Sequence, residues 1–193
     1  MKTTLKEIWS KRPRKSGWDT LVDGLGMSEL KDLAKDDEAP DIEVSLRFIL
    51  ENNGWEDCQF AWTCVDGYDR ELRLLAVEFA RPVKHLMTEP SLHALDVAKR
   101  FADGLATADE LYVSRFEAEQ ALTREPSQKK DAQYAAFYCA HRNVGCSAKM
   151  ASFYAAYYAT YAIKSQKENA IKNQIAEFKR LLDCIESGER YEI

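Results

Sequence analysis

Apolar residues recur along this chain at spacings of three and four, the period of one face of an α-helix. The clearest stripe runs from Leu72 through Leu75, Phe79 and Val83 to Met87. No stretch sustains the alternation of apolar and polar side chains that marks a half-buried strand. The pattern therefore predicts an all-α fold, a single multi-helix bundle or short helical solenoid of about 8–10 helices with no sheet.

Capping residues and a proline predict several helix boundaries. Thr107 and Glu110 have the spacing of a capping box, which marks a helix start. Asp41 is expected to cap a helix over residues 42–52. Pro82 falls inside the clearest apolar stripe and predicts a kink, because it removes one backbone hydrogen bond.

The predicted helices are expected to form one all-α domain over residues 1–193, because a chain of this length can bury roughly 70% of its unfolded surface as a single unit. Residues 1–40 form a short-helix segment with a basic arm, and its first helix is expected over residues 2–9. Amphipathic helices follow over residues 41–125. A Tyr- and Ala-rich helical hairpin and a C-terminal helix complete the chain over residues 126–193.

Composition narrows the class of protein. A hydrophobic share of 46% excludes a chain that is disordered throughout. Apolar runs fall short of the roughly 18 residues of a membrane span, and the start of the chain lacks the apolar region of a secretory signal. Five scattered cysteines favour reduced thiols over a disulfide framework. We therefore expect a cytoplasmic protein without membrane association.

The net charge of −5 conceals a strong asymmetry. In residues 1–15, six basic side chains face one acidic side chain, for a net charge of +5. In residues 16–71, 15 acids face four bases, for a net charge of −11. Such a step indicates either an electrostatic binding surface or a solvated, internally paired region.

Two clusters carry this asymmetry. The basic cluster, flanked by Trp9 and Trp18, consists of Lys11, Arg12, Arg14 and Lys15. It could bind nucleic-acid phosphates, stay solvated or pair with the acidic residues that follow. The acidic cluster consists of Asp36, Asp37, Glu38, Asp41 and Glu43. It could imitate nucleic acid in a basic groove or form a solvated loop. The electrostatic candidates are Lys11, Arg12, Arg14, Lys15, Asp36, Asp37, Glu38, Asp41 and Glu43.

Tyrosines line the second helix of the predicted hairpin. Tyr154 and Tyr158 are neighbours at i,i+4, and Tyr157 and Tyr161 form an adjacent pair. One pair can pack in the core while the other contacts a partner, because tyrosine is common in both settings. These four tyrosines, with Trp9 and Trp18, are the aromatic interface candidates. The same rings could instead form the interface of a homo-oligomer. Stacking of nucleic-acid bases on them is less favoured, because few cations lie among the rings.

No motif predicts catalysis, a metal or a cofactor. Cys139, His141 and Cys146 lie close in sequence but lack the two paired ligand spacings of a structural zinc site. His85 shares a helix face with Glu78, an arrangement more typical of a solvated ion-pair row than of an acid–base site. Phosphate-binding loops and nucleophile elbows are absent from the sequence. We expect no enzyme activity, no metal and no cofactor, with an enzyme of unrecognised type as an alternative.

Several stretches carry a family resemblance. They are Ile8-Trp9-Ser10-Lys11-Arg12-Pro13, Gly17-Trp18, Gly67-Tyr68-Asp69-Arg70-Glu71-Leu72, Leu95-Asp96-Val97-Ala98 and Glu110-Leu111. Together they resemble a group of phage and prophage proteins of unknown function, with a more distant similarity to Ala-rich bacterial immunity proteins. The similarity covers most of the chain and weakens after residue 125, where this sequence has Tyr in place of Ala and Trp.

The resemblance implies a helical architecture and an accessory phage role in the cytoplasm of an infected or lysogenic bacterium, and it implies no catalytic residues. The resulting hypothesis is a non-enzymatic protein that binds and occludes a host or bacterial protein, such as a component of a defence system. The alternative from a different class is a nucleic-acid-associated protein that uses the basic cluster.

Overall fold

The computed structural model describes residues 1–34, 37–122, 127–141, 157 and 164–193. These residues are mostly α-helical, which confirms the predicted fold class. Contacts divide the chain into two compact units, Met1–Gly67 and Tyr68–Ile193. The single domain over residues 1–193 stays a prediction, and each unit is described by itself below.

The first unit begins with a strand that pairs with a later one. The strands Lys2–Thr4 and Glu43–Ser45 are antiparallel, with Thr3 opposite Val44, and each leads directly into a helix. The elements of this unit are β1 (Lys2–Thr4), α1 (Leu5–Ser10), α2 (Lys15–Gly24), a 3-10 helix (Ser28–Asp32), β2 (Glu43–Ser45), α3 (Leu46–Asn52), α4 (Trp55–Ala61) and a second 3-10 helix (Trp62–Cys64).

This two-stranded sheet corrects the expectation of no sheet. Each strand has three residues, too few for an alternating pattern to stand out, and the pairing joins segments far apart in sequence. Thr3 and Val44 are buried, and the Thr3 hydroxyl donates to the Cys64 carbonyl. The helices expected from residue 2 and residue 42 therefore start later than predicted, at Leu5 and Leu46.

Ser45, rather than Asp41, caps α3. Its hydroxyl accepts a hydrogen bond from the Phe48 backbone N–H at 3.1 Å. We expect Ser45→Ala to lower the free energy of unfolding by about 1 kcal/mol, because a helix-terminal N–H loses its acceptor. Urea denaturation measures the loss. Ser45→Asp retains an acceptor and should stay near the wild type, and equal losses in both variants would contradict the assigned cap.

The second unit is built entirely of helices in its described part. The helix Glu89–Ala102 packs against the helices Asp69–Ala80, Ala108–Leu122 and Ser127–Cys139, and the helix Asp69–Ala80 also contacts the helices Ser127–Cys139 and Lys164–Ser187. The elements are α5 (Asp69–Ala80), a 3-10 helix (Arg81–Leu86), α6 (Glu89–Ala102), α7 (Ala108–Leu122), α8 (Ser127–Cys139) and α9 (Lys164–Ser187).

Two sequence features of this unit have different outcomes. The capping box is confirmed: the Glu110 N–H donates to the Thr107 hydroxyl at 3.2 Å, and the Thr107 N–H donates to the Glu110 carboxylate at 2.7 Å. The expected kink at Pro82 is instead the end of α5, because the chain passes at Ala80 into the 3-10 helix. Pro82 lies in the first turn of that helix, where its missing N–H is not needed.

The segment after α9, residues 188–193, packs against α5, α6 and α9 within the second unit. Tyr191 is buried, and its hydroxyl donates to the Glu177 carboxylate at 2.6 Å. Arg70 donates to the Tyr191 carbonyl at 2.8 Å, and Lys99 donates to the Ile193 carbonyl at 2.9 Å. These contacts hold Arg70 at the edge of the cavity described next.

Candidate functional site

α7 is apolar on two opposite sides. Its buried side carries Leu111, Ser114, Ala118 and Leu122 at helical spacing. On the other side the exposed fraction is 61% for Tyr112, 51% for Val113 and 48% for Phe116, and Leu105, just before the helix, is 72% exposed. We call Leu105, Tyr112, Val113 and Phe116 the α7 face. A helix that served only to pack one core would have a single apolar stripe.

Carboxylates surround the α7 face. Asp109, Glu117 and Glu119 belong to the same helix and are exposed. Glu110 is held by the capping box and by Arg100, whose Nη2 lies 3.0 Å from its carboxylate. The one cation within the α7 sequence is Arg115. The α7 face is thus an apolar centre with an acidic rim.

A cavity of about 800 Å³ lies beside α7, lined by residues of α5, α6 and α7 and by Ala140. Arg70, Arg73 and Arg115 all line it. Arg70 is an anchored wall residue, because its Nη2 donates to the Asp103 carboxylate at 2.7 Å. Tyr112 also lines the cavity, so the cavity adjoins the α7 face.

Arg73 is the most unusual of the three arginines, because it is buried without an ion pair in the described part of the chain. Its Nη1 donates to the Cys139 carbonyl at 2.7 Å, and its guanidinium lies 5.2 Å from the centre of the Phe101 ring. Burial lowers the pKa of Arg73 from its usual range, and the neighbouring ring compensates part of the lost hydration.

Arg115 contacts aromatic rings rather than carboxylates among the described residues. Its guanidinium lies 5.7 Å from the Tyr112 ring centre and 5.5 Å from that of Phe137. His141 is close to the same group of rings, 6.1 Å from the Tyr138 ring centre. Burial, and then the charges of Arg115 and Arg73, lower the pKa of His141. The site therefore has positive potential on its inner side and negative potential on its rim.

The depressed pKa of His141 predicts a pH dependence of stability. The folded chain favours neutral His141, so the unfolded chain binds more protons as the pH falls below the ordinary histidine pKa of about 6.5. We expect stability to fall between about pH 7.5 and about pH 5.5, and His141→Gln to reduce that fall. Urea denaturation at both pH values measures it. The same loss in variant and wild type would contradict the assignment to His141.

The basic cluster is partly neutralised inside its own unit. Arg14 forms an ion pair with Glu56 at 2.9 Å, and Lys15 forms one with Asp19 at 2.5 Å. Lys11 and Arg12 are exposed. Of the alternatives left open, a solvated segment with internal ion pairs describes Arg14 and Lys15. Their described partners, Asp19 and Glu56, lie outside the predicted acidic cluster.

The acidic cluster also finds cations nearby. Glu38 pairs with Lys6 at 3.2 Å, and Glu43 pairs with Lys2 at 2.9 Å. Asp37 and Asp41 are exposed, and Asp36 lies outside the described residues. Exposed pairs of this kind contribute little stability, but they lower the charge that each cluster presents to a partner.

The two tryptophans that flank the basic cluster, Trp9 and Trp18, are structural rather than exposed. Trp18 is fully buried and donates through Nε1 to the Leu30 carbonyl at 2.8 Å. Trp9 is half-buried, 4.7 Å from the Trp18 ring centre, and donates to the Asp37 carbonyl at 2.9 Å. Trp18 is therefore corrected from an interface candidate to a core residue, because its apolar indole contributes most when removed from water.

The tyrosine hairpin is described only at one position. Tyr157 is 38% exposed, which is compatible with its place among the aromatic interface candidates. Tyr154, Tyr158 and Tyr161 lie outside the described residues. The interface role of these three stays a prediction.

Features that bear on catalysis and metal binding are few in the described residues. No group of three or more His, Cys, Asp and Glu side chains among them could hold a metal ion. Burial raises the pKa of the Cys139 thiol to about 12 and that of Cys58 as well, so both thiols are protonated near neutral pH. Glu78 pairs with Arg81 at 2.6 Å, and His85 is exposed.

No described helix is long and apolar enough to span a bilayer.

Comparison of the chain with protein-family models, with curated proteins and with solved structures finds no match. The function is therefore inferred from the residues of the site itself. Sequence reasoning missed the α7 face. The signal was present, because Tyr112, Val113 and Phe116 lie off the stripe formed by Leu111 and Ala118 on a helical projection.

Proposed function

We propose that this chain is a non-enzymatic binding protein that occludes a host or bacterial protein through the α7 face. The observation that carries the proposal is the exposure of Tyr112, Val113 and Phe116, which are i,i+3 and i,i+4 neighbours on one side of α7. Exposed apolar patches of this kind mark interfaces, and aromatic residues are enriched at their energetic centres.

The rim defines the chemistry of the partner. Asp109, Glu117 and Glu119 would face basic side chains around an apolar centre on the partner surface. Complementary charge of this kind raises the association rate and rejects acidic partners. A basic surface is typical of proteins that bind nucleic acid, so a host or bacterial protein of that class fits the α7 face best.

The wider biological setting is an accessory phage role, in which occlusion inhibits a defence component. The resemblance of the sequence to phage and prophage proteins supports this setting. The protonated buried thiols Cys58 and Cys139 and the exposed position of His85 support a role without catalysis. Pairing of Arg14 and Lys15 with carboxylates makes the nucleic-acid alternative less favourable, because fewer cations of the basic cluster remain open to phosphates.

Capture from bacterial host lysate tests the proposal. The wild-type chain should retain a stoichiometric protein with a basic surface, and higher salt should weaken that capture. Glu117→Lys combined with Glu119→Lys reverses part of the rim and should capture less of the same protein. Absence of any stoichiometric partner, or undiminished capture by the rim variant, would contradict the proposal.

A further inference from the structure

The cavity lined by Arg70, Arg73 and Arg115, called the arginine cavity from here on, has the features of a ligand site and shares Tyr112 and Asp109 with the adjoining partner surface. Its volume of about 800 Å³ falls within the range of small-molecule sites. The walls combine cations from α5 and α7 with the rings of Phe101 and Tyr112. Such a lining suits a ligand that is both anionic and flat.

Two arginines on the inner wall that have no carboxylate partner among the described residues are the main support for a ligand site. Buried charges in proteins are normally paired, yet among the described residues no carboxylate forms an ion pair with Arg73 or Arg115. Arg73 uses Nη1 on the Cys139 carbonyl, a neutral acceptor. The planar guanidinium fork of Arg73, which lines the cavity, matches the oxygens of a phosphate group.

The two arginines converge on the cavity from different helices. Arg73 is buried on α5, and Arg115 extends from α7 over the Tyr112 ring. Arg70 supplies a third positive charge, but Asp103 already pairs with it at 2.7 Å. Of the three arginines, Arg73 and Arg115 therefore attract an anion most strongly, although the charge of Asp69 also acts on Arg73.

The remaining lining favours a ligand with a ring and hydroxyl groups. Phe101 and Tyr112 provide flat apolar surfaces on which a base can stack. Asp69 and Asp109, which also line the cavity, can accept hydrogen bonds from sugar hydroxyls. We propose that this cavity binds a nucleotide, with its phosphate on Arg73 and Arg115 and its base against the aromatic wall. Occupancy of the cavity does not require the partner of the α7 face.

Titration calorimetry on the full chain tests the assignment with a panel of nucleoside monophosphates and diphosphates. At least one nucleotide should bind saturably, and inorganic phosphate and the matching nucleoside should each bind at least about tenfold more weakly. Phosphate binding as tightly as the nucleotide would overturn the role of the ring. No saturable binding by any nucleotide in the panel would overturn the site.

Variants locate the binding within the cavity. Arg115→Gln should weaken nucleotide binding by at least about tenfold, because a charge-assisted contact is lost. Arg73→Met should weaken nucleotide binding to a similar extent if the variant folds. If it does not fold, Arg115→Gln still decides the test, because Arg115 is only half-buried. Arg81→Gln is the matched control, an exposed arginine outside the cavity lining. Unchanged affinity in Arg115→Gln, or an equal loss in Arg81→Gln, would contradict the placement.

Discussion

Phe116→Asp is expected to weaken binding of the partner by at least about 100-fold, or about 2.8 kcal/mol. The substitution removes an aromatic side chain from the centre of the α7 face and places a carboxylate in what would be the desolvated core of an interface. Phe116 is 48% exposed and lies opposite the buried side of α7, so the fold should tolerate the change. Calorimetry or surface plasmon resonance with the purified partner measures the loss.

Leu92→Asp is the control for this result. Leu92 is an exposed apolar residue on α6, 41% accessible, and it is not part of the α7 face. The Leu92→Asp substitution should leave the affinity for the partner within about twofold of the wild type, since surface substitutions away from an interface have small effects. Equal losses in both variants would indicate a general effect of added negative charge rather than a contact at Phe116.

Trp18→Ala should lower the free energy of unfolding of the first unit by about 3–5 kcal/mol. Trp18 is fully buried, and its removal leaves a large cavity and an unpaired Leu30 carbonyl. A loss of this size approaches the whole stability of a small unit. Urea denaturation followed by circular dichroism measures it.

Trp9→Ala provides the comparison within the same aromatic pair. Trp9 is half-buried, so its truncation should cost only about 1 kcal/mol. The two rings lie 4.7 Å apart, which means that the losses are coupled and should not add in the double variant. A Trp18→Ala loss no larger than that of Trp9→Ala would contradict the assignment of Trp18 to the core.

The helical part of the fold could be predicted because local chemistry determines it. The Thr107–Glu110 capping box involves residues three apart, and its hydrogen bonds form as the spacing predicts. The β1–β2 pairing could not be predicted in the same way. It depends on contacts between Thr3 and Val44, and nothing in either three-residue segment identifies the other.

The candidate site was less accessible to sequence reasoning for a related reason. Runs of like charge in the sequence predicted a binding surface in the first unit, where ion pairs such as Lys6–Glu38 partly neutralise those charges. The α7 face is apolar, and an apolar side chain in a helix is ordinarily assigned to the core. Only the packing of α6 and α8 against α7 shows which side of α7 is covered and which side remains exposed.

A photo-crosslinking amino acid at position 113 tests the central claim most directly, because Val113 lies within the α7 face and is 51% exposed. We predict a covalent adduct with the captured host protein from this position. The same crosslinker at position 173, where Asn173 is exposed on α9, should give none. An adduct from position 173 without one from position 113 would contradict partner binding through the α7 face.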